Sequence, residues 1–142
     1  MPLLWDDKEI LRTGKEVLQV EGKCVLNLSR TLSGSFSEAV KVIARCGGKI
    51  LVTGMGKSGI IGKKIAATLS SYGITAYFLH PAEALHGDLG MARPEDVLLV
   101  LSKSGNTAEV LHLVELLKLL KIPIITLTSS AESRLAQYSD IT

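Results

Sequence analysis

The chain has 142 residues, 46% of them hydrophobic, and a formal net charge of +2. This length suits one domain, and the small charge with few aromatic residues gives no sign of a nucleic-acid-binding surface. No run reaches the roughly 18 uncharged apolar residues of a membrane span, and the early acids in MPLLWDDKEI argue against a secretory signal. Cys24 and Cys46 share no metal-binding spacing, so we expect reduced core thiols in a cytoplasmic protein.

Two helices are predicted before the first strand. Apolar residues recur every seven positions from Leu11 to Leu32, which indicates an amphipathic helix over residues 6–32. The segment SGSFSEAV then predicts a second helix, with Ser35 as its N-cap and Glu38 three residues later as the partner in a capping box. The following glycine pair is expected to end this helix.

From residue 49 onward, strands and helices alternate. Strands are predicted at 49–54, 75–80, 96–102 and 122–129, and helices at 58–73, at 107–120 and from residue 131. The segment from residue 81 to about residue 94 is predicted to be irregular. The order and the continuous Val, Ile and Leu runs predict a doubly wound parallel sheet covered on both faces, a three-layer α/β/α sandwich. The final YSDIT stops where a fifth strand is expected, so we expect a C-terminal strand and helix to be missing.

A glycine-rich segment, ILVTGMGKSG at residues 50–59, follows the first predicted strand and contains Gly54-x-Gly56-x-x-Gly59. This spacing is typical of dinucleotide-binding loops, but the second predicted strand lacks the acid that would bind a ribose. A P-loop is excluded because residue 51 is leucine instead of glycine. Two interpretations remain: a phosphate site at a helix N-terminus, or a tight turn that allows close helix packing.

A second loop, LSKSGNTAE at residues 101–109, also follows a strand and opens a helix. Ser102, Ser104 and Thr107 place three hydroxyls around the first helical turn, and Gly105 allows a close approach of the backbone. Helix capping by Ser104 or Thr107 explains one hydroxyl but not three. Because open α/β sheets bind ligands at the carboxyl ends of their strands, the two loops together predict a site for a phosphate monoester.

The segments GMGKSG, HPAEALHGDLGM and SKSGNTAE, in this order, resemble the sugar isomerase (SIS) domain, and within it the arabinose 5-phosphate isomerases. The resemblance runs from about Gly14 onward and implies a five-stranded, flavodoxin-like sheet, with residues 1–142 as one C-terminally truncated SIS domain. It implies reversible conversion of D-ribulose 5-phosphate and D-arabinose 5-phosphate, which feeds synthesis of the lipopolysaccharide sugar Kdo, without a required cofactor. Full-length members usually continue with CBS modules, which this chain lacks.

The chemistry of an aldose–ketose isomerase requires a base, a donor that stabilises the enediolate, and an anchor for the phosphate. Lys57, His86 and Glu109 match residues implicated in catalysis in the family that the chain resembles. Considered alone, Lys57 is also consistent with an exposed loop lysine, and Glu109 with an ordinary first-turn carboxylate. Which of the three takes the carbon-bound proton stays open.

Substrate contacts are predicted from the two loops and from the resemblance. They comprise Gly56, Ser58, Gly73, His80, His86, Ser102, Ser104, Gly105, Asn106 and Thr107. A metal cluster of His80, His86, Glu83 and Asp88 is conceivable, but the histidine spacing matches no familiar zinc pattern and an enediol route needs no metal. The resemblance implies that His80 can bind zinc. His112 is predicted to be a packing or surface histidine.

Assembly and two alternative functions remain open at this stage. The resemblance implies a homo-oligomer, a dimer or homotetramer, with sites at subunit interfaces, and the apolar stripes of helices 6–32 and 107–120 suit such an assembly. The alternative is that both stripes pack on the chain's own sheet. The other functions are a sugar-phosphate sensor without catalysis and a 3-hexulose-6-phosphate isomerase. The joint occurrence of Lys57, His86 and Glu109 favours an enzyme, and HGDLGM favours a pentose phosphate as its substrate.

Overall fold

A computed structural model describes residues 5–142, so the first four residues of the MPLLWDDKEI segment lie outside the described part. The chain divides into two compact units between Gly34 and Ser35. In the first unit, α1 (Asp7–Leu28) begins after Asp6, whose carboxylate accepts a hydrogen bond of 2.8 Å from the backbone N–H of Glu9. A helix is therefore confirmed here, and it ends four residues before the predicted limit.

All residues of α1 are exposed, including the apolar residues at seven-residue spacing. Leu11, Leu18 and Val25 are 63%, 71% and 66% exposed. Cys24 lies on the same helix and is also exposed, so the prediction that it is a core thiol is wrong. Cys46 is half-buried, and its thiol contacts the carbonyl oxygens of Lys49 and Glu95 at 3.5 Å.

The second unit consists of alternating helices and strands. Its elements are α2 (Gly34–Ala44), β1 (Ile50–Gly54), α3 (Gly56–Ser71), β2 (Ala76–Phe78), α4 (Pro81–Ala84), a 3₁₀ helix (Asp88–Met91), β3 (Val97–Leu101), α5 (Ala108–Leu119), β4 (Ile124–Leu127) and α6 (Arg134–Tyr138). Ser35 lies inside the first turn of α2, so the helix begins before the predicted N-cap. The segment after β2 forms two short helices where an irregular chain was predicted, and Pro81 starts the first of them in a position that suits proline.

The sheet formed by residues 5–142 has the strand order β2-β1-β3-β4, and all neighbouring strands are parallel. On one face, Leu51, Leu98 and Val100 pack against α5 and α6. On the other face, Ile50 and Val52 belong to a second apolar cluster that includes residues of α2 and α3. This arrangement confirms the predicted three-layer α/β/α sandwich with a doubly wound sheet.

The apolar stripe of α5 belongs to the first of these clusters. Val110, Leu113, Val114 and Leu117 are each at most 1% exposed. The prediction that helix 107–120 suits oligomerisation is therefore corrected, because its apolar stripe from Val110 to Leu117 is already covered by the chain's own sheet, and of its large apolar residues only Leu119 and Leu120 at its end are exposed. The stated alternative, packing on the sheet, is right for this helix.

A short pairing extends the sheet beyond β4. Ile141 forms an isolated parallel bridge with Ile125, and its carbonyl oxygen accepts a hydrogen bond of 2.9 Å from the N–H of Thr126. This is the position that a fifth strand takes in the flavodoxin-like order. Within residues 5–142, no helix combines the length and the hydropathy needed to cross a bilayer.

Candidate functional site

A cleft of about 420 Å³ lies where β1 and β3 end. These strands are neighbours in the sheet, but α3 and α5, which follow them, pack in different apolar clusters on opposite faces. Such a switch point opens a crevice at the carboxyl edge of a doubly wound sheet, where these folds bind ligands. The lining residues are Met55, Ser58, Leu101, Ser102, Lys103, Ser104, Thr107 and Ser129.

The glycine turn between β1 and α3 brings Ser58 to this cleft. A methyl group on Gly54 would lie 2.8 Å from the carbonyl oxygen of Leu101, and one on Gly59 would lie 2.7 Å from the carbonyl oxygen of Gly54. Both glycines therefore allow α3 to start directly against the sheet. Gly56 has open space around it and a φ of 54°, the left-handed conformation that glycine adopts without strain. The close-packing interpretation is right for Gly54 and Gly59, and it is the packing that positions Ser58.

The serine loop between β3 and α5 is shaped by its own hydroxyl groups. Ser102 is buried, and its Oγ accepts a hydrogen bond of 3.2 Å from the N–H of Gly105. The Oγ of Ser104 accepts one of 3.3 Å from the N–H of Asn106, whose side-chain amide donates to the carbonyl oxygen of Ser104 at 3.0 Å. Gly105 has a φ of 64° and packs against Ser133. Because both serine oxygens act as acceptors here, each hydroxyl proton is available to an anion.

The helices that start at the cleft have no side-chain caps. Thr107 is the N-cap of α5, but its side chain makes no capping hydrogen bond, and the N-cap of α3 is Met55. The capping alternative therefore fails for Thr107. Uncapped first-turn N–H groups and the positive end of the helix dipole favour a bound anion at both helix starts.

Two of the predicted catalytic residues flank the cleft without lining it. Lys57 is exposed in the first turn of α3, directly before Ser58. Glu109 is exposed in the first turn of α5, two residues after Thr107. His86 is exposed between α4 and the 3₁₀ helix, and its backbone N–H donates to the carbonyl oxygen of Glu83 at 2.9 Å. The structure thus brings Lys57 and Glu109 to neighbouring helix starts, and it places His86 in the segment after β2.

His80 is half-buried at the carboxyl end of β2, in T-shaped contact with Phe78 at 6.3 Å between ring centroids. Its Nδ1 is buried and has no hydrogen-bond partner. In the described part of the chain, no three His, Cys, Asp or Glu residues come close enough to hold a metal, so the cluster of His80, His86, Glu83 and Asp88 does not form. This donor set does not fit a zinc site within one subunit.

Two further residues lie outside the cleft. Gly73 follows the C-terminus of α3 with a φ of 79° and precedes β2, so it lies at the amino edge of the sheet. Between Gly56 and Gly73, α3 runs from the carboxyl edge of the sheet back to its amino edge. The structure therefore does not bring Gly73 together with the other predicted substrate contacts. His112 is exposed on α5, as predicted for a surface histidine.

Several lining residues were not predicted from the sequence, namely Met55, Leu101, Lys103 and Ser129. Ser129 lies two residues after the end of β4, the neighbour of β3, and this position at the carboxyl edge was the available signal. Lys103 lies between Ser102 and Ser104, both predicted substrate contacts, and this position in the loop could have indicated that it lines the cleft.

This fold and cleft define a class of doubly wound α/β proteins with a hydroxyl-lined crevice at the switch point. The SIS domain family matches residues 43–142. Curated relatives named arabinose 5-phosphate isomerase KdsD, from Yersinia pestis and Shigella flexneri, are 48% and 44% identical over 130 residues. The match covers 92% of this chain and 40% of each relative. A solved structure of the E. coli CFT073 protein c3406 in complex with arabinose 5-phosphate is 37% identical, with a TM-score of 0.91 over 96% of this chain and 73% of that one.

The chain belongs to the SIS domain family. It spans about 40% of the length of the curated relatives that it matches, whose names specify a sugar-phosphate isomerase.

Proposed function

We propose that this domain binds a pentose 5-phosphate and interconverts D-ribulose 5-phosphate and D-arabinose 5-phosphate. The observation that carries the proposal is the convergence of hydroxyl groups and two uncapped helix starts on one cleft. The hydroxyls belong to Ser58, Ser102, Ser104, Thr107 and Ser129. Short donors around one point suit a single phosphate monoester. The names of the curated relatives and the solved complex with arabinose 5-phosphate support a pentose phosphate as the substrate.

The reaction is a proton transfer between two adjacent carbons. A base removes a proton from C1 of the ketose, which gives a 1,2-enediolate, and return of a proton to C2 gives the aldose. Between these two steps a proton passes from the C1 hydroxyl to the C2 oxygen of the enediolate, so atoms and charge balance. Glu109 and His86 are the two bases in this scheme. Lys57 stabilises the negative charge of the enediolate.

The assembly and the metabolic role belong to the same proposal. The domain forms a homo-oligomer, a homotetramer, whose sites lie at subunit interfaces, and the exposed apolar residues of α1 support self-association. The product, D-arabinose 5-phosphate, supplies the synthesis of Kdo for lipopolysaccharide. No cofactor takes part in the proton transfer.

Conversion can be followed directly with the complete chain. D-ribulose 5-phosphate is added, and ¹³C nuclear magnetic resonance records the appearance of D-arabinose 5-phosphate, with the reverse reaction as a second measurement. We expect both reactions to reach the same equilibrium ratio. Binding of the pentose phosphate without conversion would favour the sensor function, and conversion of 3-hexulose 6-phosphate alone would favour the hexulose phosphate isomerase.

A further inference from the structure

The charge of the cleft is concentrated on one residue. Among the lining residues in the described part of the chain, Lys103 alone carries an ionisable side chain. The others contribute hydroxyl groups, backbone or apolar groups, all of them neutral. A phosphate monoester carries a charge near −2 at neutral pH, and burying that charge without a cation is costly.

The side chain of Lys103 is available for such a ligand. It is exposed, and it forms no ion pair with any acid of residues 5–142. Lys57, the neighbouring lysine on α3, does not line the cleft and is assigned to the enediolate. Lys103 is therefore the cation whose position fits the phosphate end of the substrate.

The backbone of Lys103 is held by the segment that follows β4. Its carbonyl oxygen accepts hydrogen bonds from the N–H of Ser129 at 3.0 Å, from the Oγ of Ser129 at 2.6 Å and from the Oγ1 of Thr128 at 3.2 Å. These three donors neutralise the partial negative charge of this carbonyl oxygen, which lies beside the proposed anion site, and they fix the serine loop. Further along the loop, the N–H of Leu135 donates to the carbonyl oxygen of Gly105 at 3.0 Å. The segment after β4 thus supports the serine loop at several points.

We propose that Lys103 supplies the positive charge with which this cleft selects dianionic phosphate esters, and that Thr128 acts as a positioning residue for it. This inference rests on the proposed function of the same cleft, which it deepens. Hydroxyls and helix N–H groups recognise the shape of a phosphate, whereas an ammonium group distinguishes its charge from that of a neutral sugar.

The test compares Lys103→Gln with Lys64→Gln, a matched change at an exposed lysine of α3 that does not line the cleft. Calorimetry measures the Kd for inorganic phosphate and for D-arabinose 5-phosphate, and the conversion assay gives KM and kcat. We expect Lys103→Gln to raise both Kd values and the KM about 10-fold or more, with kcat little changed. Lys64→Gln should resemble the wild type.

Equal Kd values for Lys103→Gln and the wild type would overturn the role of Lys103. A different result would overturn the proposed function: a wild-type chain that binds phosphate tightly and converts no sugar phosphate. In that case a raised Kd for inorganic phosphate in Lys103→Gln still supports the inference.

The positioning role is tested at Thr128, which does not line the cleft. Thr128→Val removes the hydroxyl donor, and Thr128→Ser keeps it. We expect Thr128→Val to raise the Kd for D-arabinose 5-phosphate several-fold at unchanged kcat, and Thr128→Ser to restore it. If the serine variant is as weak as the valine variant, the hydroxyl does not position Lys103 and that part of the proposal is wrong.

Discussion

Glu109 occupies a position where its charge has both a structural and a chemical use. A carboxylate in the first turn of α5 is favoured by the helix dipole, which holds for any helix of this kind. What sets Glu109 apart is that Thr107 and Ser104, just before it, line the cleft. This position, close in the chain to two lining residues, is why we propose Glu109 as a base.

The first prediction concerns Glu109→Gln. We expect kcat for D-ribulose 5-phosphate to fall by about 10²- to 10⁴-fold, because the amide cannot accept a proton. The Kd for D-arabinose 5-phosphate should change little, since the phosphate contacts remain. The same ¹³C assay and calorimetry measure both values, and Glu38→Gln, an exposed acid of α2, is the control. Normal turnover of Glu109→Gln would remove this residue from the mechanism.

Asp96 is a buried carboxylate that directly precedes β3. It is 1% exposed, and its carboxylate accepts hydrogen bonds from Lys49 Nζ at 2.7 Å, from the Lys49 N–H at 2.9 Å and from the Arg93 N–H at 2.8 Å. Burial alone would raise the pKa of Asp96, but these hydrogen bonds and the charge of Lys49 hold it below its usual value. The pair joins the start of β1 to the start of β3.

The second prediction is that Asp96→Asn lowers the free energy of unfolding by about 2–3 kcal/mol at pH 7, because the ammonium group of Lys49 loses its partner. A lowered pKa in the folded state means that the stabilisation is complete above the unfolded value of about 4. It is lost as the pH falls through the folded value. The difference between the wild type and Asp96→Asn should therefore shrink below about pH 4.

Urea unfolding at several pH values measures this difference. Glu95→Gln changes an exposed neighbouring acid and should leave both the stability and its pH dependence near those of the wild type. A difference between wild type and Asp96→Asn that stays constant down to about pH 2 would contradict the assigned ionisation of Asp96.

At the scale of single elements, the contact of α3 with the sheet depends on glycine. The third prediction is that Gly59→Ala destabilises the second unit by about 1–3 kcal/mol, because the new methyl group meets the carbonyl oxygen of Gly54. The start of α3 must then move, so the Kd for D-arabinose 5-phosphate should also rise. Thermal unfolding and calorimetry measure the two effects.

Gly22→Ala is the matched control, since Gly22 lies inside α1 and a methyl group there meets nothing within 4 Å. That change should be neutral or slightly stabilising, because alanine is the better helix former. If Gly59→Ala is as harmless as Gly22→Ala, close packing is not what positions Ser58.

Helices and strands could be predicted from the sequence wherever the hydrophobic pattern of the segment is clear. Continuous apolar strands and the helices between them follow from the pattern of Val, Ile and Leu, which is why the four strands and their parallel, doubly wound arrangement were predicted. The short helix Pro81–Ala84 was missed because four residues show no periodicity. The exposure of Cys24 was missed because the burial of a helix depends on what it packs against, which its sequence does not specify.

The site was predictable only for the residues that directly follow a strand within a recognisable loop. Ser58, Ser102, Ser104 and Thr107 were predicted to meet because parallel strands end at one edge, and they do line one cleft. Ser129 reaches the same cleft from β4, and the sequence contains no loop motif there. The contribution of Lys103 depends on its neighbours in space, namely Thr128 and Ser129, and spacing along the chain cannot show it.

At the scale of the whole molecule, the proposed self-association rests on the exposed apolar face of α1. Leu11, Leu18 and Val25 are spaced by seven residues, which is the repeat of helices that pair with one another. The fourth prediction is that Leu18→Glu raises the dissociation constant of the oligomer by about 10²-fold, because the apolar contact is lost in each copy and a charge is buried in its place. Analytical ultracentrifugation measures the assembly.

Gln19→Glu introduces the same charge at the adjacent exposed position and should leave the assembly intact. A Leu18→Glu variant with the mass of the wild-type oligomer at all concentrations would show that this face of α1 does not hold the copies together.

The helices that follow the two loops, α3 and α5, pack in different apolar clusters, one on each face of the sheet. In the proposed complex, a phosphate that binds the starts of both α3 and α5 adds a link between these two outer layers. Amide hydrogens in both outer layers should exchange more slowly with deuterium when the sugar phosphate is present. The corresponding sugar without phosphate should leave that exchange unchanged.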